Sequence, residues 1–186
     1  MGAARDKLLK AAERRFYADG IAATGIDAVV AEAGVARMSL YNNFGSKDIL
    51  VTAYLDRRHD EWLELLAHRL ELAADSRGRV LAVFDAYLDH AAFAYDKGFR
   101  GCGLLNGAAE LPVGHPGRES VRVHKGDVEQ TLVDLVTEAG IHDARLVAEH
   151  LYLLLEGGVV SAGLDGNPER LIHARRLAES ILAEAS

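Results

Sequence analysis

The chain reads as an all-α protein. Apolar residues recur at helical spacing along almost its whole length, strand-like alternation is nearly absent, and glycines and cap-type polar residues divide the sequence into about nine helical runs. With 186 residues, 49% hydrophobic and 26% charged, it is long enough for one sizeable core or two small domains, and its composition excludes disorder.

Leu8, Leu9, Ala12 and Phe16 share one stripe of a first helix, which Gly20 terminates as a glycine cap. In "TGIDAVVAEAG", Thr24 and Asp27 have the spacing of a capping box, and Ile26, Val29, Val30 and Ala33 follow at i, i+3, i+4, i+7, giving a second helix ended by Gly34. The third helix lies in "GVARMSLYNNF", residues 34–44. Taking Leu40 as zero at 100° per residue, Phe44 is about 40° away, whereas Met38 and Asn42 fall near 160° and 200°. Leu40 and Phe44 therefore face inward. Ser39 and Tyr41 flank the outward face, and Arg37 has a stem long enough to reach it.

Gly45 ends that helix, and Ser46 caps a fourth, with Lys47 in its first turn, that runs to about residue 72. A fifth is expected over residues 79–95, with Val80, Phe84, Tyr87, Leu88 and Ala91 inward. After the glycine-broken loop "DKGFRGCG", "LLNGAAEL" makes a short sixth helix stopped at Pro112. The seventh covers about 119–139 with Val121, Val128, Leu132, Leu135 and Val136 apolar, the eighth lies in 142–164, and Asn167-Pro168 starts the ninth. Five consecutive residues, Leu151 to Leu155, make the eighth helix apolar nearly all round, so it needs cover on more than one side.

Two helices joined tightly at Gly34 and braced by a third form a helix-turn-helix plan. A helix of this size fits the DNA major groove, where Arg37, Ser39 and Asn42 suit base edges; Tyr41, Thr24 and Lys47 suit phosphates. A helical hairpin serving only as scaffold has the same residue pattern. The charge distribution accommodates the first reading: of a net −7, residues 1–50 carry seven basic against six acidic residues, and the remainder 14 against 22.

The stretch "TGIDAVVAEAGVARMSLYNNFGSKDIL" resembles the DNA-binding signature of the tetracycline-repressor (TetR) family of bacterial transcription regulators: a Thr, a short helix, Ala-Gly-Val, Leu-Tyr-x-x-Phe, then Ser-Lys. The resemblance covers roughly residues 5–55. It implies a DNA-binding domain over 1–47, a helical ligand-binding and dimerisation domain over 48–186, and contacts to double-stranded DNA from Thr24, Arg37, Met38, Ser39, Tyr41, Asn42, Asn43 and Lys47. At the position of Asn43 the family often has His; the amide still offers a donor. Further implications are a homodimer through the last two helices, over 146–164 and 171–182, and a repressor released from a palindromic operator by a small apolar or aromatic effector.

In the body, "FRGCGLLNGAAEL" is similar to a Gly-Cys segment in one branch of that family. Cys102, Asn106 and Glu110 recur at i, i+4, i+8, either as the polar edge of an effector cavity lined by Phe84, Tyr87, Leu105 and Tyr152, or as capping and inter-helix hydrogen bonds. Catalysis is not expected. The eight histidines form no i, i+3 or i, i+4 pairs, no HExxH, and no glycine-rich phosphate loop follows a strand, so neither cofactor nor metal is expected. The lone Cys102 excludes an internal disulfide and a Cys-rich zinc site, though Arg100 beside it leaves a redox-sensing reading open. No run of 18 apolar residues and no signal-like block appears, which predicts a cytoplasmic protein with no membrane partner. The rival from another class is a helical small-molecule binding protein or enzyme whose N-terminal hairpin is structural.

Overall fold

The computed structural model describes residues 2–185. Among them are nine helices and no strand: α1 (Ala3–Asp19), α2 (Ile26–Ala33), α3 (Arg37–Phe44), α4 (Lys47–Leu72), α5 (Ser76–Ala91), α6 (Gly103–Glu110), α7 (Pro116–Glu138), α8 (Ala144–Asp165) and α9 (Glu169–Glu184). The residues pack as two units. The first contains α1 to α3, α4 as far as His59, Tyr95–Gly98, and Gly103–Arg122; the second contains Asp60–Ala94, Phe99–Cys102 and the chain from Val123 onward.

In the first unit α1 packs on α2, α3 and α6. Its stripe of Leu8, Leu9, Ala12 and Phe16 is buried, and the Phe16 ring meets Tyr54 edge-on at 5.5 Å. Gly20 closes α1 with φ 90, donating its N–H to the Phe16 carbonyl. α2 starts one residue later than a Thr24 cap requires, because Gly25 is the N-cap and the Thr24–Asp27 box does not form. Thr24 instead turns inward and its hydroxyl donates to the Gly20 carbonyl at 2.6 Å, satisfying an acceptor at the end of α1. Gly34 ends α2 in the left-handed region with its N–H on the Ala31 and Val30 carbonyls. Leu40 and Phe44 of α3 are buried as the helical spacing predicts, each contributing roughly 1.5–3 kcal/mol by burial. Arg5 lies 4.8 Å over the Phe44 ring. Ser46 caps α4, its hydroxyl accepting from the Ile49 N–H.

In the second unit α5 begins at Ser76, earlier than expected, because the Asp75 carboxylate accepts from the Gly78 N–H at 2.7 Å; it also ends earlier, at Ala91. α9 packs on α5 and α8. One side of α8 is buried through Leu151, Leu155, Val159 and Ala162. By length and composition α8 could also cross a membrane. Among the described residues the rest of α8 is left partly open: Leu153 is 61% and Leu164 85% exposed, and Leu177 of α9 is exposed as well.

Glycines set the closest approaches. The segment before α6 crosses α8 so tightly that a Cβ on Gly163 would lie 2.6 Å from the Gly101 nitrogen and 2.7 Å from its Cα. By contrast a Cβ on Gly126, in the exposed part of α7, meets nothing within 4 Å. Gly163→Ala should therefore cost about 1–3 kcal/mol in urea unfolding through overpacking. Gly126→Ala should gain about 0.5–1 kcal/mol from helix propensity.

Candidate functional site

The outward face of α3 is the first candidate. With Leu40 and Phe44 buried, Arg37, Met38, Tyr41 and Asn42 are left exposed, Met38 at 64%. An exposed methionine on a short helix between polar side chains makes this face a candidate contact surface. Arg37 is hydrogen-bonded to Tyr41 and paired with Asp27 at 3.1 Å, which hold its guanidinium charged and laid along the surface. Both members of the ion pair are well exposed, so the pair contributes little and an incoming anion displaces Asp27 readily.

The other expected DNA contacts sit differently. Ser39 is half-buried, and Asn43 donates its amide to the Ser39 carbonyl at 2.7 Å, tying it to its own helix. Thr24 is 3% exposed, with its hydroxyl proton committed to the Gly20 carbonyl. Lys47 donates to the Ile21 carbonyl at 2.6 Å, using one of three ammonium protons. Glu110 has its partners in the connection between α1 and α2. Its two carboxylate oxygens accept from the backbone N–H groups of Ile21 and Ala22, at 3.1 and 2.7 Å, long-range hydrogen bonds of the kind its spacing also allowed.

The expected effector residues divide between the units. Leu105 and Asn106 accompany Glu110 in the first; Phe84, Tyr87, Cys102 and Tyr152 belong to the second. There, four more residues surround them that helical periodicity did not single out. Lys125, 8% exposed, donates to the Glu156 carboxylate at 2.6 Å and to the Tyr87 hydroxyl at 3.3 Å, and lies 5.3 Å over the Tyr87 ring. His124 lies 3.5 Å from the same hydroxyl, and Trp62 meets the His124 ring edge-on at 5.2 Å. A signal for Lys125 exists in the sequence: it falls at i+4 from Val121 and i−3 from Val128, inside the apolar stripe of α7, where a lysine needs a buried partner.

Burial works against a charge on Lys125, but Cys102, Tyr87 and Glu156 outweigh it and hold the ammonium well above the ordinary lysine range. Burial likewise pushes the Tyr87 phenol up, against the pull of Lys125. Among the described residues no group of three or more His, Cys, Asp or Glu is arranged to hold a metal.

The two shifts act on stability with the same sign. Each group gives up its proton in the unfolded chain before it does so in the folded one, so stabilisation is full below about pH 10 and is lost as pH rises above it. Unfolding free energies measured across the alkaline range should fall beyond that limit. The double variant K125M/E156Q, which removes the buried pair together, should fall less steeply.

Residues 8–54 match the family described as bacterial regulatory proteins, tetR family. The transcriptional activator FasR of Mycolicibacterium smegmatis is 35% identical over 85 residues, covering 46% of this chain and 39% of that one. The transcriptional regulator TtgR of Pseudomonas putida is 41% identical over 56 residues, 30% of this chain and 27% of that one. Less than two thirds of either curated relative is thus matched. The crystal structure of a TetR-family transcriptional regulator from Streptomyces coelicolor matches throughout, with 33% identity, a TM-score of 0.89, and coverage of 99% of this chain and 96% of that one. A second TetR-type regulator, from Streptomyces avermitilis, gives 28% identity and a TM-score of 0.70 over 95% of this chain and 98% of that one. The chain belongs to the TetR family of bacterial transcriptional regulators.

Proposed function

We propose that this protein is a cytoplasmic, homodimeric repressor that binds a palindromic stretch of double-stranded DNA and releases it when a small apolar or aromatic effector binds. The observation that carries the reading is the outward face of α3, where Arg37, Met38, Tyr41 and Asn42 stand free of the core while Leu40 and Phe44 fix the helix from behind. Asn42 and Arg37 are suited to base edges, Tyr41 and the remaining protons of Lys47 to phosphates. Asn43 and Ser39 contribute from the flank. The curated relatives are regulators of transcription, and catalysis has no part in this reading.

A dimer is supported by the apolar face that α8 and α9 leave uncovered: Leu153, Leu154, Gly157, Ser161, Ala174 and Leu177 line an open groove whose small residues permit a second helix pair to approach closely. A dimer also supplies two recognition helices, which an inverted repeat requires. For the effector, Tyr87, Cys102 and Tyr152 beside the Lys125–Glu156 pair, with Phe84 buried in the same unit, are the candidate apolar walls and polar anchors. Leu105 and Asn106 of α6 are the further candidates. The effector acts by preferring one of two conformations, and operator affinity falls by its differential affinity for them.

The test is selection of bound sequences from a random duplex pool, followed by reporter transcription from a promoter overlapping the selected site. Recovery of a palindrome and reduced transcription are expected; no enrichment by a folded dimer would refute the DNA reading, and raised transcription would assign activation, as the name of FasR describes for that protein. Asn42→Ala should cost about 1–3 kcal/mol on the selected duplex and relax preference at the base it reads. Leu153→Glu should yield monomers in sedimentation and lose the palindrome, because it places a charge on the apolar face.

A further inference from the structure

We propose that Glu110 is a positioning residue for DNA recognition: from the C-terminal end of α6 its carboxylate fixes the turn that seats the recognition helices. This rests on the DNA-binding reading above and deepens it. Residues 20–24 reverse the chain between α1 and α2, and with Gly20 at φ 90 the turn leaves two successive amides, Ile21 and Ala22, without helical acceptors. Glu110 takes both, one per oxygen. The space is shaped for that carboxylate, because a Cβ on Gly20 would lie 2.9 Å from Oε1 and 3.2 Å from Oε2.

Two carbonyls of the turn are held as well. Lys47, at the start of α4, donates to the Ile21 carbonyl, and Thr24, just before α2, donates to the Gly20 carbonyl. Of these three clamps Glu110 alone comes from outside residues 1–47. It comes from an end of α6 that is itself anchored: Arg118 donates to the Ala108 and Leu111 carbonyls, each at 3.2 Å, and Gly107 backs onto the Ile21 and Leu55 side chains, where a Cβ would lie 3.2 and 2.9 Å away. α6 and the turn therefore move together. A shift of α6 that withdrew the carboxylate would strand two amides and loosen the connection from α1 to α2, on which the seating of α3 depends. A carboxylate does this better than an amide, since its two oxygens both accept and its charge strengthens both bonds.

The experiment uses the full-length variants Glu110→Ala and Glu110→Gln, each measured for binding to the selected duplex and to a scrambled duplex of equal length, with amide exchange at Ile21 and Ala22. In Glu110→Ala the preference for the selected duplex should fall about tenfold or more, with Glu110→Gln intermediate, while scrambled-duplex affinity and its salt slope stay unchanged and both amides exchange faster. A folded Glu110→Ala that keeps its preference within about twofold overturns the proposal, leaving the carboxylate a mere stabiliser of the turn. Unchanged exchange at both amides overturns it equally. If Glu110→Ala does not fold, the same ratio in Glu110→Gln decides. Absence of any preference in the wild-type protein is recognisably different: it removes the DNA-binding reading and this proposal with it.

Discussion

The burial of Leu40 and Phe44 is the constraint from which the rest of the first unit follows. α3 is eight residues long, too short to persist alone in water, and its shape is lent to it by the residues it packs on. Fixing two side chains 40° apart on one face, at about 100° per residue, determines which residues face out. Arg37, Met38, Tyr41 and Asn42 are outward as a consequence of that packing. The glycines at 34 and 45, both at positive φ, then end α2 and α3.

The second unit is organised around a different constraint, a charge out of water. Lys125 stays ionised because Cys102, the Tyr87 hydroxyl and Glu156 offset its burial, and the histidine and tryptophan beyond fill the space around them. Such a cluster fixes the relative placement of α7, α5 and α8 more sharply than aliphatic packing would, because each polar atom must find its partner. α8 and α9 leave Leu153, Leu164 and Leu177 facing out, so the apolar side of α8 is only half used within the described residues.

What could be read from the sequence was local. Helical spacing placed Leu40 and Phe44 inward, glycines marked the ends of α1, α2 and α3, and Ser46 capped α4. Contacts distant in sequence were not legible. Thr24 looks like a cap and is a buried donor, because the acceptor that draws it inward, the Gly20 carbonyl, is freed only by the way α1 ends. Glu110 looks like one edge of a cavity by its spacing from Cys102 and Asn106, yet its partners lie 88 and 89 residues earlier in the chain. The apolar stripe of α7 does not by itself show which partner Lys125 meets, although a lysine at i+4 from Val121 and i−3 from Val128 requires a buried one.

The structure of the protein bound to its selected duplex tests the central claim most directly. It should show α3 lying in the major groove, with the Asn42 amide about 3 Å from a base edge and Leu40 and Phe44 still turned to the core. A complex in which the face carrying Arg37, Met38, Tyr41 and Asn42 meets only solvent would contradict it.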